Sequence, residues 1–129
     1  MVDKLTKRHF DKSKAGKGCM DTIYGEHMFT EEMEGYLDEI VWGFLKKGMK
    51  VYPHKHSQRE VYIFVSGEGT MQIDNEEFPV AQGEAVYIRS NAVHTAWNNK
   101  DTDLEFILVR AKRLGFVGRN MAKLLSKFG

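Results

Sequence analysis

Cysteine is scarce in this sequence, and Cys19 is the single one among 129 residues. One thiol makes no disulfide within the chain, which excludes a disulfide-stapled secreted domain and favours a reducing compartment. Long apolar stretches are also missing, since no run reaches the eighteen residues that a membrane-spanning helix requires. The polar first eight residues lead into no apolar segment of the kind that a secretory signal contains. We therefore expect a cytoplasmic protein with no membrane partner.

Acidic residues are scarce at both ends of the chain. Residues 1–18 carry six Lys/Arg against two Asp, residues 110–129 carry six Lys/Arg and no acid, and the middle carries seven against sixteen. Basic ends are able to contact nucleic acid or anionic lipid. Here the positive residues alternate with apolar ones and are not clustered with stacking aromatics, so a solvated surface is the better interpretation. We expect no nucleic-acid partner.

Length and composition are ordinary for one soluble globular domain, with 42% hydrophobic and 29% charged residues. Short strand-like runs follow one another from residue 37 onward at intervals of roughly ten residues, which is typical of an antiparallel sandwich or barrel. These runs are 40–45, 49–52, 60–65, 70–73, 78–80, 84–88, 95–97 and 104–110. The sequence therefore predicts an all-β fold over residues 37–112.

The two ends of the chain lack the regularly spaced strand-like runs of the middle. Residues 1–36 show little periodicity and are interpreted as an N-terminal arm and lead-in, with His27 as a surface histidine. In residues 113–129 the apolar side chains recur at i, i+4, i+7, i+8 and i+11, one face of a helix. They are Val117, Met121, Leu124, Leu125 and Phe128. We expect this helical segment to pack on the barrel, with contact to a partner subunit as the alternative.

The most informative stretch runs from Gly48 to Gly67 and reads G-x5-H-x-H-x3-E-x6-G. His54 and His56 are separated by one residue, so in an extended segment both imidazoles point to the same side. Glu60 opens a strand-like run and offers a carboxylate from the neighbouring strand. This spacing indicates half of a metal site.

A second stretch supplies the other half. It contains Gly83, His94 and Asn98, with the strand-like run 85–88 before the histidine. Together the two stretches resemble the cupin family of small β-barrel proteins, whose first motif matches here at every fixed position. The second motif, G-x5-P-x-G-x2-H-x3-N, matches in spacing but has Arg89 for its proline and Asn91 for its second glycine. Asn adopts left-handed conformations more readily than most residues, so we expect the turn before His94 to survive.

The resemblance implies a single-domain cupin barrel, a double-stranded β-helix of the jelly-roll type, with the short C-terminal helix as an addition. It implies a divalent metal ion bound by His54, His56, Glu60 and His94. Three imidazoles and one carboxylate suit Fe, Mn, Ni, Cu or Zn, and a metal that prefers six ligands keeps two positions open, which favours iron or manganese. Cys19 is a minor alternative as an additional ligand.

Strand parity suggests which side chains share the cavity with the metal. Tyr52 shares a face with His54 and His56, and the face of Glu60 continues through Tyr62 and Phe64. The candidate pocket residues are Tyr52, Phe64, Trp97 and Asn98. Arg89 is interpreted as a surface arginine paired with an acid, with contact to an anionic substrate as the alternative.

The function implied is that of a metal-dependent cupin acting on a small organic molecule. Dioxygenase, decarboxylase, isomerase and lyase or cyclase chemistry all remain open, because one fold hosts many activities. The alternative is a non-catalytic binding or sensing cupin whose metal site is structural. A metal-free sugar-nucleotide epimerase of the same fold is a weaker option, because all four ligand positions are kept. The family's habit of dimerising predicts a homodimer.

Overall fold

The computed structural model of the protein describes residues 7–30, 33 and 35–112. These ranges contain one 3-10 turn at Lys12–Lys14 and nine β-strands. The strands are β1 (Gly16–Gly18), β2 (Ile23–Phe29), β3 (Leu37–Leu45), β4 (Arg59–Ser66), β5 (Glu68–Ile73), β6 (Glu76–Ala81), β7 (Ala85–Ile88), β8 (His94–Trp97) and β9 (Leu104–Ala111).

The strands form two antiparallel sheets. A six-stranded sheet has the order β1-β2-β3-β9-β4-β7, and a three-stranded sheet has the order β6-β5-β8. Every strand pair in the described part of the chain is antiparallel, as expected for a barrel of the jelly-roll type. The predicted all-β cupin barrel is confirmed. The predicted C-terminal helix and its packing on the barrel lie outside the described residues.

The hydrophobic core lies between the two sheets. Strand β4 shows how the sequence builds it, since Glu60, Tyr62 and Phe64 alternate inward and are 1–2% exposed. On the central strand β9, Leu104, Phe106 and Leu108 do the same. One charged side chain, Glu60, therefore stands in the same inward row as the core aromatics.

The outward side of the six-stranded sheet is also apolar. Two neighbouring cross-strand rows cover β3, β9, β4 and β7. The first row consists of Ile40, Val109, Val61 and Tyr87, and the second of Trp42, Ile107, Ile63 and Ala85. Phe10 stacks on Trp42 with ring centroids 5.5 Å apart, so the N-terminal part of the chain covers one end of this outer face. Ile63 and Tyr87 remain exposed.

The region interpreted as an irregular lead-in contributes two strands. β2 pairs with β3 over most of its length, and β1 pairs with β2 at the sheet edge. Sequence reasoning missed β2 because its residues, IYGEHMF, mix a glycine and two charged or titratable side chains into a run without clear alternation. Conversely, the run 49–52 predicted as a strand forms only an isolated bridge at Lys50.

Left-handed backbone conformations mark the turns around the predicted motifs. Gly48, Gly67 and Gly83 all have φ between +81° and +89°, which a glycine adopts without a Cβ penalty. Asn91 has φ +63°, so it adopts the conformation that we expected at the position where the cupin motif has glycine. The turn before His94 is therefore formed despite both departures from the motif.

Replacing Gly67 by alanine is expected to lower the free energy of unfolding by about 3 kcal/mol, from left-handed strain and a steric clash. An added Cβ would lie 2.2 Å from the carbonyl oxygen of Asp103. Gly48→Ala is the matched control, because Gly48 has φ +81° but no atom within 4 Å of the added Cβ. It should cost about 1 kcal/mol. Urea unfolding measures both, and equal losses would contradict the steric part of this prediction.

Candidate metal centre

Three histidines converge at the junction of the two sheets. His94 is the first residue of β8, and its backbone forms a bridge with His54 through hydrogen bonds of 2.9 and 3.2 Å. The carbonyl of His56 accepts a hydrogen bond of 2.8 Å from the Asn91 amide. The ring centroids are 4.2 Å apart for His54 and His94, 5.0 Å for His56 and His94, and 5.4 Å for His54 and His56. Backbone pairing between the two motifs thus brings the imidazoles together.

The hydrogen bonds of the Nδ1 atoms fix the orientation of all three rings. His54 Nδ1 lies 2.7 Å from the Tyr52 carbonyl oxygen, His56 Nδ1 lies 2.9 Å from that of Gln58, and His94 Nδ1 lies 2.9 Å from that of Ala92. A carbonyl only accepts, so each Nδ1 carries the proton and donates. In the neutral imidazole the Nε2 lone pair is then available to a metal ion, as in most histidine metal ligands.

Unpartnered buried atoms mark the same place. Among the described residues, four buried side-chain atoms lack a hydrogen-bond partner, and three of them belong here: His56 Nε2, His94 Nε2 and Glu60 Oε1. One ligand atom from each of His54, His56 and His94 lies within 4.8 Å of the others, and Glu60, the fourth predicted ligand, does not belong to this group. Buried polar atoms are rarely left without a partner. The donor set therefore fits a metal ion.

Glu60 adjoins the histidines from β4 and is tied to Arg110 on β9. Its Oε2 accepts a hydrogen bond of 2.9 Å from Arg110 Nε, and the same oxygen lies 2.9 Å from His56 Nε2. The contact with His56 lacks hydrogen-bond geometry, because His56 Nε2 has no hydrogen-bond partner. Arg110 also bonds Glu39 through Nη1. The cluster thus joins three imidazoles to a row of alternating charges.

The local environment sets the charge of each group. Burial opposes ionisation of Glu60, but His56 and Arg110 outweigh it and lower the pKa of this carboxyl to about 2. Burial lowers the pKa of His54 and of His94, which favours their neutral form. The neighbouring Glu60 carboxylate raises the pKa of His56. A charged carboxylate and neutral imidazoles are the forms that bind metal ions, so the environment favours these forms at Glu60, His54 and His94 but not at His56.

A cavity of about 270 Å³ opens beside His54 and is lined by residues of β1, β2, β3, β4 and β9, all in the six-stranded sheet. Its polar lining includes Lys17, His27, Tyr62 and Arg110. Burial raises the pKa of Tyr62 well above its ordinary value, so its hydroxyl keeps the proton. Gly16, Gly18 and Gly25 leave the space open on the side of the β1-β2 hairpin. The cavity is therefore small and has cationic side chains in its wall.

None of the four pocket residues predicted from strand parity lines this cavity within the described part of the chain. Tyr52 is 51% exposed, because residues 51–53 are not in a strand and the parity argument does not apply to them. Phe64 is buried in the core, stacked near Tyr62. Trp97 lies under Lys50. Asn98 bonds the carbonyls of Leu45 and Thr102, so it holds a loop.

Sequence reasoning also missed residues that do lie at the site. Arg110 ends a strand-like run. The sequence indicates that it faces Glu60 only because every second residue of this run, Phe106, Leu108 and then Arg110, points to the same side of the sheet. Lys17 lines the cavity but lies in the stretch that the sequence predicts to be an irregular N-terminal arm. Cys19, considered as an additional ligand, places Sγ 3.4 Å from His54 Nδ1, the nitrogen that already bonds the Tyr52 carbonyl. His27 is 62% exposed and pairs with Glu39, and Arg89 pairs with Asp74, as predicted.

A two-sheet antiparallel barrel with a three-histidine cluster at the junction of its sheets defines a small cupin. The family model described as "Cupin domain" matches residues 41–110, more than half of the chain. The protein belongs to this family. The matched range contains both sequence motifs and ends at Arg110.

Several relatives are similar over most of the chain. An uncharacterized protein of Methanocaldococcus jannaschii is 28% identical, with 81% of this chain and 84% of the relative covered. An oxalate-binding protein of Thermotoga maritima is 27% identical, with 81% and 86% covered. The crystal structure of a predicted oxalate decarboxylase from Thermotoga maritima is 27% identical, with a TM-score of 0.65 and 69% and 79% covered. A Photorhabdus luminescens protein shares the fold at 21% identity, a TM-score of 0.74, and 93% and 97% covered.

The described residues contain no helix that is long and apolar enough to cross a membrane.

Proposed function

We propose that the protein is a metal-dependent cupin that binds a small carboxylate anion of the oxalate type at a divalent metal ion. The metal is held by three imidazoles and one carboxylate, from His54, His56, His94 and Glu60. The set of unpartnered buried atoms carries this proposal. Each of these atoms bears a lone pair, and a cation is the partner that such a set lacks.

One distance supports Glu60 as the fourth ligand. Two ligand atoms that bind one metal at about 2.1 Å and at a right angle lie about 3 Å apart. His56 Nε2 and Glu60 Oε2 are 2.9 Å apart without hydrogen-bond geometry. This separation would allow both atoms to bind the same metal ion. Four protein ligands leave two positions open on a six-coordinate ion, which favours Fe(II) or Mn(II) over Ni, Cu and Zn.

The cavity supports an anionic ligand. Lys17 lines it, with its ammonium group over the Tyr24 ring, and Tyr62 offers a protonated hydroxyl. The charge of Arg110 in the wall is balanced by Glu60 and Glu39. A volume of about 270 Å³ suits a molecule of a few heavy atoms rather than a nucleotide. Two relatives at 27% identity carry oxalate in their names, one as a binding protein and one as a predicted decarboxylase. A small dicarboxylate is the ligand class that fits all three observations.

The chain's own residues supply binding and orientation. Backbone carbonyls hold the Nδ1 protons of the three histidines, so the Nε2 atoms stay aimed at one point. Apolar side chains from β2, β3 and β9, namely Ile23, Val41 and Leu108, limit water in the cavity. The metal, when bound, supplies Lewis-acid polarisation of a substrate oxygen or activation of dioxygen. The hydroxyl of Tyr62 keeps its proton at the cavity wall, where it would donate a hydrogen bond to a substrate carboxylate bound in the cavity.

An enzyme is the first candidate function, and a protein that binds its ligand without converting it is the second. The Thermotoga maritima relative called an oxalate-binding protein favours the second. Calorimetric titration of the Mn(II)-loaded and Fe(II)-loaded protein with oxalate tests the ligand class, with succinate as the length control. Carbon dioxide release and oxygen uptake then separate the two candidates. Tight oxalate binding without turnover supports a binding protein, and failure to bind any small carboxylate contradicts the ligand class.

Replacing Lys17 by glutamine is expected to weaken oxalate binding to the metal-loaded protein about fivefold, because it removes an exposed positive charge at the cavity. Lys14→Gln is the matched control, since Lys14 is equally exposed but does not line the cavity. Calorimetry at low and high salt measures the effect, which should shrink as salt screens the charge. Equal affinities for both variants at low salt would exclude a role for Lys17 in binding.

The homodimer and the cytoplasmic location stay predictions. The outer apolar face supports a second copy as its partner, because Ile63 and Tyr87 are exposed within two continuous apolar rows. If this face forms the dimer, the double variant Ile63→Glu, Tyr87→Glu should sediment as a monomer while wild type sediments as a dimer. Equal masses for the two proteins would rule out this face as the interface.

A further inference from the structure

A row of three charged side chains crosses three neighbouring strands beside the histidine cluster. Arg110 on β9 is the cross-strand partner of Glu39 on β3 and of Glu60 on β4. Arg110 Nε donates to Glu60 Oε2 at 2.9 Å, and Arg110 Nη1 donates to Glu39. Two different nitrogen atoms of one guanidinium group are therefore held by two carboxylates. This arrangement fixes Arg110 against Glu60, the carboxylate that lies beside the histidine cluster.

We propose that Arg110 is the built-in counter-cation of Glu60. It neutralises this carboxylate in the metal-free protein and competes with the divalent metal for it. The second half rests on the proposed function, because it requires that Glu60 is a metal ligand. The consequence is a barrel that folds without metal and binds metal less tightly than its four ligands alone would allow.

The first half follows from burial. The side chain of Glu60 has 0% relative exposure, and a buried carboxylate is strongly unfavourable unless a positive charge or hydrogen-bond donors compensate it. Its Oε1 has no partner, so the bond from Arg110 Nε to Oε2 is its one charge-assisted hydrogen bond within the described residues. Without Arg110, the buried carboxylate of the metal-free protein would lose its permanently charged partner and keep His56 Nε2, 2.9 Å away, as its neighbour.

The second half follows from Coulomb repulsion and from shared use of one oxygen. Glu60 Oε2 is the atom that both Arg110 and the cluster approach, since it lies 2.9 Å from Arg110 Nε and 2.9 Å from His56 Nε2. A metal ion bound there would lie close to a fixed guanidinium charge. The two cations oppose each other through the low-dielectric interior, where screening by salt is weak. By linkage, each cation weakens the binding of the other to Glu60 by the same factor.

Glu39 is a second carboxylate partner that stabilises Arg110 during this competition. It holds Arg110 from the side away from Glu60 and also pairs with His27 at 2.8 Å. The guanidinium group therefore keeps a carboxylate partner when the metal takes up the charge of Glu60. A simple structural salt bridge would explain the contact of Arg110 with Glu60, but it would not predict any gain in metal affinity when the arginine is removed.

The test uses the full chain with Arg110→Gln, which removes the charge but keeps a hydrogen-bond donor, and Arg110→Met as a second variant. Lys47→Met is the matched control, because Lys47 pairs with exposed Asp101 and neither residue belongs to the cluster. Two quantities are measured: the thermal midpoint of each protein in chelator, and the dissociation constant for Mn(II) and Zn(II) by competition with a chromophoric chelator.

We expect both Arg110 variants to unfold at lower temperature than wild type in chelator, and to bind Mn(II) and Zn(II) at least tenfold more tightly. The control should match wild type in both readouts.

If Arg110→Met is unfolded in chelator, refolding on addition of Mn(II) supports the inference, and failure to refold contradicts it. Equal or weaker metal affinity in folded Arg110→Gln, with wild type binding metal normally, overturns the competition. Wild type that binds neither metal contradicts the proposed function instead, while an unchanged midpoint in chelator overturns the role of Arg110 as counter-cation.

Discussion

Replacing His56 by alanine is expected to lower the affinity of the protein for Mn(II) and Fe(II) by about 100-fold or more. Loss of a group that merely orients a metal ligand costs 10-fold to 100-fold, so loss of a ligand itself should reach at least the upper end of that range. His56 suits this test because it lies outside the hydrophobic core cluster, although its side chain is only 18% exposed. The barrel should therefore stay folded. Metal affinity is measured by competition with a chelator after removal of all metal.

His9→Ala is the matched control for this experiment. His9 is exposed and lies outside the cluster, so its loss should leave metal affinity unchanged. Circular dichroism confirms that both variants keep the β-fold. A folded His56→Ala protein with full metal occupancy would contradict the assignment of this histidine as a ligand.

Replacing Glu60 by glutamine is expected to lower the free energy of unfolding of the metal-free protein by about 3 kcal/mol. The variant leaves Arg110 with Glu39 as its remaining carboxylate partner, and breaking a buried pair typically costs about 3–5 kcal/mol, so we expect a value at the low end of that range. The pKa of Glu60, lowered from 4.5 to about 2, gives an independent figure on the order of 3 kcal/mol. The side chain has 0% relative exposure, so solvent screening reduces this figure little.

The sign of the pH dependence gives this prediction a second readout. The folded-state pKa of Glu60 is lowered, so its stabilising contribution is present above pH 4.5 and is lost as the pH falls toward about 2. The difference in unfolding free energy between wild type and Glu60→Gln should therefore shrink across that interval. Urea unfolding in chelator at several pH values measures it, with Asp74→Asn as the exposed-pair control. A difference that is small at pH 7, or constant down to pH 2, would disprove this account of Glu60.

Much of the fold could be predicted from the sequence because its strands are short, regularly spaced and rich in β-branched residues. The strands over residues 37–112 were found for this reason, and Asn91 adopted the left-handed conformation that its side chain allows. Sequence patterns do not reveal β1, an exposed edge strand of the residues GKG, or β2, whose residues show no clear alternation between core and solvent. β2 is held as a strand by its pairing with β3 on one side and β1 on the other.

The residues that converge at the candidate site could be predicted, but the wall of the cavity could not. Motif spacing identified His54, His56 and His94, although His54 and His56 are not in a regular strand. The backbone bridge between His54 and His94, and not the alternation of side chains along a strand, brings the imidazoles together. The cavity wall depends on tertiary contacts that no local pattern encodes, since Lys17 reaches it from the hairpin and Arg110 from the last strand. Tyr52 shows the opposite error, because parity was applied to a segment that is not a strand.

The central claim is that three histidines and Glu60 of this chain bind one divalent metal ion. Metal analysis after anaerobic loading with Mn(II) and exhaustive dialysis, combined with X-ray absorption of the same sample, tests it most directly. We predict one metal ion per chain with three imidazole ligands and the rest of the sphere made of oxygen. Protein that retains no metal, or a metal bound without imidazole, would contradict the claim.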